Sequence, residues 1–169
     1  MADLETLVSY LEMTEPPHGA PLRPPRAGIE VRRAVRPTLG FYRYLYDAIG
    51  ADWAWYERKR LAEAQLAAIL HDPRVEVNVL WACGVPAGLA ELDFRAPPDI
   101  ELAYFGVLPE FIGLGLGGWL LDWAIHHAWR SHPRRFWVHT CDLDHPRALP
   151  LYQKAGFWLY DQQMTLATP

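Results

Sequence analysis

The sequence predicts a single α/β (α+β) domain in which a mixed sheet of six to seven strands is flanked by about four helices. Three observations lead to this fold class. The chain has 169 residues, enough for one sizeable core but not for two comfortable domains. Predicted strands and helices follow the order β, α, α, β, β, β, α, β, α, β. Two consecutive strands flank a turn at 84–88, which predicts an antiparallel hairpin.

Residues 1–28 precede these elements and are rich in proline. Proline cannot continue a helix or a central strand, so we expect an N-terminal extension over 1–28 and the main domain over 29–169. Apolar side chains near its start predict that the extension docks on the domain or on a second subunit, which leaves a homodimer open; a partly disordered tail also fits. These side chains are Leu7, Val8, Tyr10, Leu11 and Met13.

Apolar periodicity and turn residues then define the first half of the domain. Pro37 stands where the first turn of a helix tolerates proline, ahead of an aromatic run. Asp72 and Pro73 close a second helix. The predicted elements are a strand over 29–35, helices over 41–49 and 56–70, and strands over 75–82 and 89–94.

The second half continues with alternating strands and helices. Asp144 can cap the last helix, and Gly156 occupies the usual left-handed position after it. Pro150 removes a helical hydrogen bond, so this helix should start late or carry a bulge. The predicted elements are strands over 101–107, 136–141 and 157–165 and helices over 116–129 and 144–155.

A glycine-rich loop connects the strand at 101–107 to the helix at 116–129. Four of the six residues at 113–118 are glycine. Glycine allows a ligand to approach the backbone, and the free amides of a helix start favour an anion. The same glycines could instead form a tight turn that lets the helix pack on the sheet, so both interpretations are open at this point.

Composition and charge exclude several other classes of protein. The formal net charge is −4, and the cationic residues are scattered, so we expect no nucleic-acid partner. The N-terminus is acidic and no apolar segment is long enough to span a membrane, so we expect a cytoplasmic protein with no membrane partner. Cys83 and Cys141 lie far apart and predict two buried thiols with no disulfide and no metal site.

Three motifs together resemble one enzyme family. They are Val107-Leu-Pro109, the glycine loop, and Leu151-Tyr-Gln-Lys-Ala-Gly-Phe157. With the order of elements, they make residues 29–165 similar to the GNAT superfamily of N-acetyltransferases. The resemblance implies a mostly antiparallel sheet that splays at the cofactor strand, with acetyl-CoA as co-substrate. Ile112 departs from the polar residue that begins the family's pyrophosphate loop, although it removes no backbone amide.

The resemblance also implies which residues bind acetyl-CoA. The loop amides would hold the pyrophosphate, the pantetheine arm would lie beside the strand that ends at Val107, and His145 stands where the family has an asparagine that contacts this arm. The implied cofactor-binding residues are Phe105, Gly106, Val107, Gly113, Leu114, Gly115, Leu116, Gly117, Gly118 and His145.

Two catalytic residues follow from the resemblance and from the chemistry of acyl transfer. Tyr152 matches the tyrosine that protonates the departing CoA thiolate, a role suited to a phenol. An ammonium acceptor must lose a proton, and Glu101, at the spacing of a catalytic glutamate in several relatives, is the candidate base, directly or through water. Glu91 on the neighbouring strand is the alternative. Strand alternation predicts that Glu101 points the same way as Phe105 and Val107.

The acceptor is expected to be a small-molecule or peptide amine. Carboxylates and aromatic rings cluster at 52–57, between the first two predicted helices, and this combination suits a cation. The members of the cluster are Asp52, Trp53, Trp55, Tyr56 and Glu57.

Two other functions stay open at this point. The loop also satisfies the dinucleotide pattern Gly-x-Gly-x-x-Gly, and Asp142 follows the next strand, as in an oxidoreductase. Five residues separate Val107 from Gly113, however, and little chain follows Asp142, which weakens this alternative. The departures at Ile112 and His145 also allow an acyl-CoA-binding domain without catalysis.

Overall fold

The fold is a seven-stranded sheet with helices on both faces. A computed structural model describes residues 4–167, and the strands follow the order β2-β3-β4-β5-β6-β1-β7 across the sheet. The strands are β1 Leu4–Met13, β2 Ile29–Arg33, β3 Val75–Ala82, β4 Val85–Asp93, β5 Asp99–Val107, β6 Arg135–Cys141 and β7 Trp158–Ala167. The helices are α1 Leu39–Gly50, α2 Glu63–Leu70, α3 Leu116–Trp129 and α4 Ala148–Lys154, with 3-10 turns at Arg58–Arg60 and Pro109–Phe111.

The sheet is antiparallel except where β5 meets β6. These two strands pair in parallel over only three positions, 99–101 with 135–137. Beyond Glu101 and Trp137 they separate, so the end of β5 has no strand partner on that side. The predicted mixed, mostly antiparallel sheet that splays at the strand before the glycine loop is therefore confirmed.

Each face of the sheet carries its own apolar core. Residues of α3 and α4, such as Leu120 and Tyr152, pack on one face with Phe136 of β6. Residues of α1 and α2 pack on the other, including the fully buried Leu45 and Leu66. Both sides of the sheet are thus fixed by burial of apolar side chains, and the gap between β5 and β6 lies between the two cores.

The N-terminal residues form an internal strand that the sequence analysis did not predict. β1 lies between β6 and β7 and pairs antiparallel with both. Leu11 is fully buried and Met13 nearly so. The start of the proline-rich extension at 1–28 is therefore part of the sheet, and its apolar residues are those of a strand with neighbours on both sides.

Residues 14–28 connect β1 to β2 and lie across α3. The backbone N–H of Leu22 donates to Asp122 at 2.8 Å, and Trp119 Nε1 donates to the Leu22 carbonyl at 3.1 Å. This segment therefore contacts α3 through the backbone of Leu22.

Three predicted boundaries are wrong for local reasons. The turn at 84–88 is instead a tight turn at Cys83 and Gly84, both with positive φ, and β4 already begins at Val85. The helix predicted over 56–70 begins only at Glu63, because the residues before it form a loop with a 3-10 turn at Arg58–Arg60. The last helix begins at Ala148 rather than at residue 144, which is the late start that Pro150 predicted as one alternative. Pro150 thereby lies in the first turn, where its missing N–H costs nothing.

A bulge in β5 changes which residues share a face. Glu91 pairs with Tyr104 but the next residue of β4 pairs with Leu102, so Ala103 is the extra residue. Phe105 and Val107 consequently pack with the α3 core, whereas Tyr104 packs with the α1 core. Glu101 lies on the face of Tyr104, because the neighbouring Leu102 points into the α3 core. The prediction that Glu101 points the same way as Phe105 and Val107 is wrong.

Among residues 4–167, no helix combines the length and the apolar character that a membrane crossing requires.

Candidate active site

A cavity of about 550 Å³ occupies the gap between β5 and β6. The loop after α1 forms one wall, and the start of α3 and the loop before α4 form the opposite side. Most of the residues predicted from the sequence lie on its walls, namely Phe105, Gly106, Val107, Gly113, Gly115, Leu116, Gly117, Gly118, His145 and Tyr152. Leu114 and Glu101 do not line it.

The glycine loop presents free backbone amides to this cavity. Gly113 and Gly115 have φ values of 84° and 77°, a left-handed conformation that favours glycine. Gly115 is the N-cap of α3, so no side chain caps the helix, and its first turn contains no acidic residue. The amides at this helix start and the helix dipole together form a site suited to an anion.

Gly117 and Gly118 lie in the first turn of α3, where the backbone does not have the left-handed conformation of Gly113 and Gly115. Their φ values are not positive, and a methyl group at Gly118 would meet no atom within 4 Å. At Gly117 it would only touch Val107 at an ordinary distance of 3.8 Å. Neither the fold nor the packing requires glycine here, although glycine costs roughly 1 kcal/mol in a helix. The open space above these residues is what a ligand lying on the backbone would need.

Tyr152 presents its hydroxyl to the cavity from a packed ring. The ring meets Phe105 and Phe157 edge-on, with centroid distances of 6.1 and 6.0 Å. Burial, followed by the charge of Asp144, raises the pKa of Tyr152 above its ordinary value, so the phenol holds its proton. No hydrogen bond of the Tyr152 hydroxyl occurs among residues 4–167, which leaves it available to a ligand.

His145 forms a contact across the mouth of the cavity. Its ring lies 4.8 Å from that of Trp53, between centroids, and its Nδ1 accepts from the Arg147 N–H at 3.0 Å. The loop before α4 and the loop after α1 therefore meet above the gap. Asp144, predicted as a helix cap, instead accepts from Thr140 Oγ1 and from the Cys141 N–H, and so anchors this loop to the end of β6.

Glu101 lies behind a histidine that the sequence analysis did not single out. Glu101 Oε1 is 3.5 Å from His139 Nδ1, and His139 lines the cavity. The contact with Glu101 raises the pKa of His139, while burial acts in the opposite direction. The one signal in the sequence was the strand alternation, which turns His139 away from the buried Val138 and Thr140 on its own strand.

Glu91, the alternative base, is a structural residue. Its side chain is completely buried, and its two oxygens accept from Tyr42 Oη at 2.6 Å and from Arg58 at 2.7 Å. It does not line the cavity. The pair between Arg58 and Glu91 ties the loop after α1 to β4.

The cluster predicted as the acceptor region forms one wall of the cavity. Asp52, Trp53, Trp55, Tyr56 and Glu57 all line it. The ring of Trp55 packs 5.1 Å from those of Tyr46 and Tyr104, between centroids. Tyr104 donates to Glu57 at 2.8 Å, and the Arg58 guanidinium lies over the Tyr104 ring at 5.1 Å. These contacts explain why the loop replaces the helix that was predicted from residue 56.

The two cysteines differ from their prediction in burial. Both are free, but Cys83 is exposed and Cys141 is only partly buried. Burial raises the pKa of the Cys141 thiol, which keeps it protonated beside Asp144. Within residues 4–167, no group of three or more potential ligands is arranged to hold a metal ion.

Comparison with known proteins identifies the family. The model of the acetyltransferase (GNAT) family matches residues 40–157. No curated protein matches the chain.

Solved structures with the same fold cover most of the chain at low sequence identity. A GNAT family acetyltransferase from Elizabethkingia anophelis with acetyl-CoA bound is 20% identical over 80% of each chain, with a TM-score of 0.62. The IAA acetyltransferase from Bacillus cereus is 22% identical over 79% of each chain, with a TM-score of 0.61. A protein of unknown function from Staphylococcus epidermidis is 14% identical, with a TM-score of 0.64. The match covers 97% of this chain but only 62% of that longer one.

The family model spans well over half of the 169 residues and includes the glycine loop, the splayed strands and Tyr152. The chain therefore belongs to the GNAT family of acetyltransferases.

Proposed function

We propose that this protein transfers the acetyl group of acetyl-CoA to a primary amine by direct attack in a ternary complex. The observation that carries the proposal is that one cavity joins three groups. These are the uncapped start of α3, the Tyr152 hydroxyl and an acidic, aromatic wall. Family membership supports acyl transfer, and the acetyl-CoA in the Elizabethkingia anophelis structure supports the co-substrate.

The residues around the glycine loop fit acetyl-CoA. A pyrophosphate needs backbone amides and unobstructed space, and the loop offers both, since side chains are absent at Gly117 and Gly118 without a reason in the fold. The loop amides would hold the pyrophosphate, and the free edge of β5 from Phe105 to Val107 would lie along the pantetheine arm. Leu114 does not line the cavity and would contribute only its backbone amide. Acetyl-CoA supplies an activated thioester whose acyl group an amine can take.

Tyr152 serves as the general acid. Its raised pKa means that the phenol carries a proton at neutral pH, and its packed ring aims that proton into the cavity. A proton held at Tyr152 Oη stabilises the developing charge on a leaving sulfur. The backbone N–H of Val107 would polarise the acyl oxygen, a role that needs no particular side chain.

The wall opposite the glycine loop selects a cationic acceptor. Asp52 and Glu57 line it, and Asp144 adds a third carboxylate to the cavity from the loop before α4. Arg147 is the only arginine or lysine on the cavity wall within residues 4–167. Trp53 and Tyr56 add aromatic surface to the same wall. Carboxylates attract an ammonium group and aromatic faces stabilise it, so the acceptor is a small-molecule or peptide amine that arrives protonated. Deprotonation takes place on the side of the cavity next to Glu101.

The proposal is tested by measuring binding and turnover together. Calorimetry should detect acetyl-CoA binding and no NADH binding, and a panel of amines should contain at least one that is acetylated. Acetyl-CoA binding without acetylation of any amine would instead support an acyl-CoA-binding domain without catalysis. NADH binding without acetyl-CoA binding would refute the proposal altogether.

A further inference from the structure

His139, rather than Glu101, is the basic group that reaches the cavity. The strand β6 carries it past the point where β6 and β5 stop pairing, so its side chain enters the gap. Its side chain is 39% exposed, whereas that of Glu101 is 24% exposed and does not line the cavity. A carboxylate placed behind a histidine is poorly suited to touch a substrate, but well suited to orient the ring.

We propose that His139 Nε2 is the base that takes the proton from the acceptor ammonium, and that Glu101 is a positioning residue acting through His139. This inference rests on the proposed amine acetylation and replaces Glu101 in the role of base.

The geometry around the ring favours this role. Glu101 lies on the Nδ1 side, at 3.5 Å, and a carboxylate there favours the tautomer with its proton on Nδ1. The lone pair of Nε2 is then free to accept a proton. No hydrogen bond to Nε2 occurs among residues 4–167. The rings of Tyr10 and Trp137, at 5.9 and 6.0 Å between centroids, flank the imidazole and limit its rotation.

The groups that face His139 from neighbouring elements are mostly acidic. Glu101 faces it from β5, Glu57 from the loop after α1, and Asp144 from the loop after β6. The ring of Tyr10 faces it from β1. The three carboxylates stabilise the imidazolium ion, and their combined effect, with Glu101 contributing most, outweighs the opposing effect of burial on the pKa.

The proton balance of the reaction is complete with these residues. The N–H bond of the ammonium breaks and its proton forms a bond to His139 Nε2, which leaves a neutral amine and an imidazolium ion. The amine nitrogen then forms a bond to the acyl carbon as the C–S bond breaks, the leaving sulfur takes the proton of Tyr152 Oη, and the nitrogen gives its second proton back to Tyr152. Of these two protons, one is matched by the proton that Tyr152 delivers to the sulfur, and the other is released to solvent, so the net change is one proton per turnover.

The test measures the pH dependence of kcat/KM and the NMR titration of His139 in the wild type, and compares the variants His139→Gln and Glu101→Gln with it. The wild-type kcat/KM for an amine substrate should rise with pH, because the base must be neutral to accept a proton. The midpoint of this rise should match the pKa of His139 from an NMR titration of its ring nitrogens. His139→Gln should lower kcat/KM by about 100-fold and abolish the rise. Its affinity for acetyl-CoA, measured by calorimetry, should not change.

The variant Glu101→Gln distinguishes a positioning role of Glu101 from a role as the base. It removes the charge that raises the pKa of His139, so both the NMR midpoint and the kinetic midpoint should move together to lower pH while the rise itself persists. His18→Gln is the matched control, since His18 is exposed in the segment 14–28 and should change neither quantity.

Two results would overturn the assignment. If an amine is acetylated and the pH-dependent rise survives in His139→Gln at the wild-type rate, His139 is not the base and the proposed function stands. If Glu101→Gln abolishes the rise while the NMR midpoint of His139 stays in place, Glu101 is the base. Failure of the wild-type protein to bind acetyl-CoA or to acetylate any amine would remove the proposed function and this inference with it.

Discussion

The Tyr152 hydroxyl can be removed without disturbing the packing around it. Phe105 and Phe157 contact the ring, and no group among residues 4–167 bonds the hydroxyl. Tyr152→Phe should therefore lower the rate of the chemical step by about 100-fold, the usual worth of a general acid. Single-turnover kinetics measure this rate, and calorimetry should show unchanged acetyl-CoA affinity.

Tyr44→Phe is the control for Tyr152→Phe. Tyr44 is half exposed on α1 and does not line the cavity, so its hydroxyl should not affect the rate. A wild-type rate in Tyr152→Phe would rule out the general-acid role, whereas equal losses in both variants would point to a general loss of structure.

Individual site residues were predictable where a motif carried them. Tyr152 and the four glycines lie at spacings that a reader of the sequence can recognise, and all five line the cavity. His139 belongs to no motif that can be recognised in the sequence. Its proposed role depends on the contact with Glu101, which lies 38 positions earlier in the sequence on the neighbouring strand β5. Only the register of β5 against β6 brings the two side chains together.

The glycine loop and the first turn of α3 act as one element, and a matched pair of substitutions tests it. Gly117 is the second residue of α3, as Gly40 is of α1, and neither has close neighbours. Gly117→Val should raise the acetyl-CoA dissociation constant at least about tenfold, a loss of about 1.4 kcal/mol, because the side chain fills the space of the pyrophosphate. Calorimetry measures the change.

Gly40→Val should leave acetyl-CoA binding unaltered. Both variants should be at least as stable as the wild type, since valine is no worse than glycine in a helix. Unchanged binding by Gly117→Val would contradict the placement of the pyrophosphate on this loop.

Elements with a strong periodic pattern were predicted well, and those shaped by tertiary contacts were not. The bounds of α3 agree with its predicted range because the glycine loop marks its start and the segment Ser131-His-Pro133 marks its end. The start of α2 and the face of Glu101 were wrong for one common reason. Trp55 and Arg58 pack against β5 and β4, and the bulge at Ala103 turns Tyr104 towards them. None of these contacts leaves a local signal.

For the molecule as a whole, β1 is the feature that the sequence did not reveal, and its role in stability is testable. Leu11 is fully buried and Leu4 is half exposed on the same strand. Leu11→Ala should lower the free energy of unfolding by roughly 2–5 kcal/mol, as in other buried sites. Leu4→Ala should change it by less than about 0.5 kcal/mol. Urea denaturation compares the two variants, and a small effect of both would mean that β1 only rests on the domain.

β1 was missed because prolines at 16–25 follow it closely and indicate an irregular segment. The fold class was nevertheless correct, since six of the seven strands and all four helices were recognised from the sequence. β1 also matters to the site, because Thr6 and Val8 line the cavity and Thr6 hydrogen-bonds Asp142 after β6. The strand thus supports the wall that carries His139.

The most direct test of the proposed amine acetylation measures both products of the reaction that the intact protein catalyses. Free CoA thiol and acetylated amine are measured in the same reaction, with and without an amine that the protein accepts. We expect one thiol for each acetylated amine and almost none without the amine. Thiol release that is independent of amine, with no acetylated product, would contradict acetyl transfer to an amine.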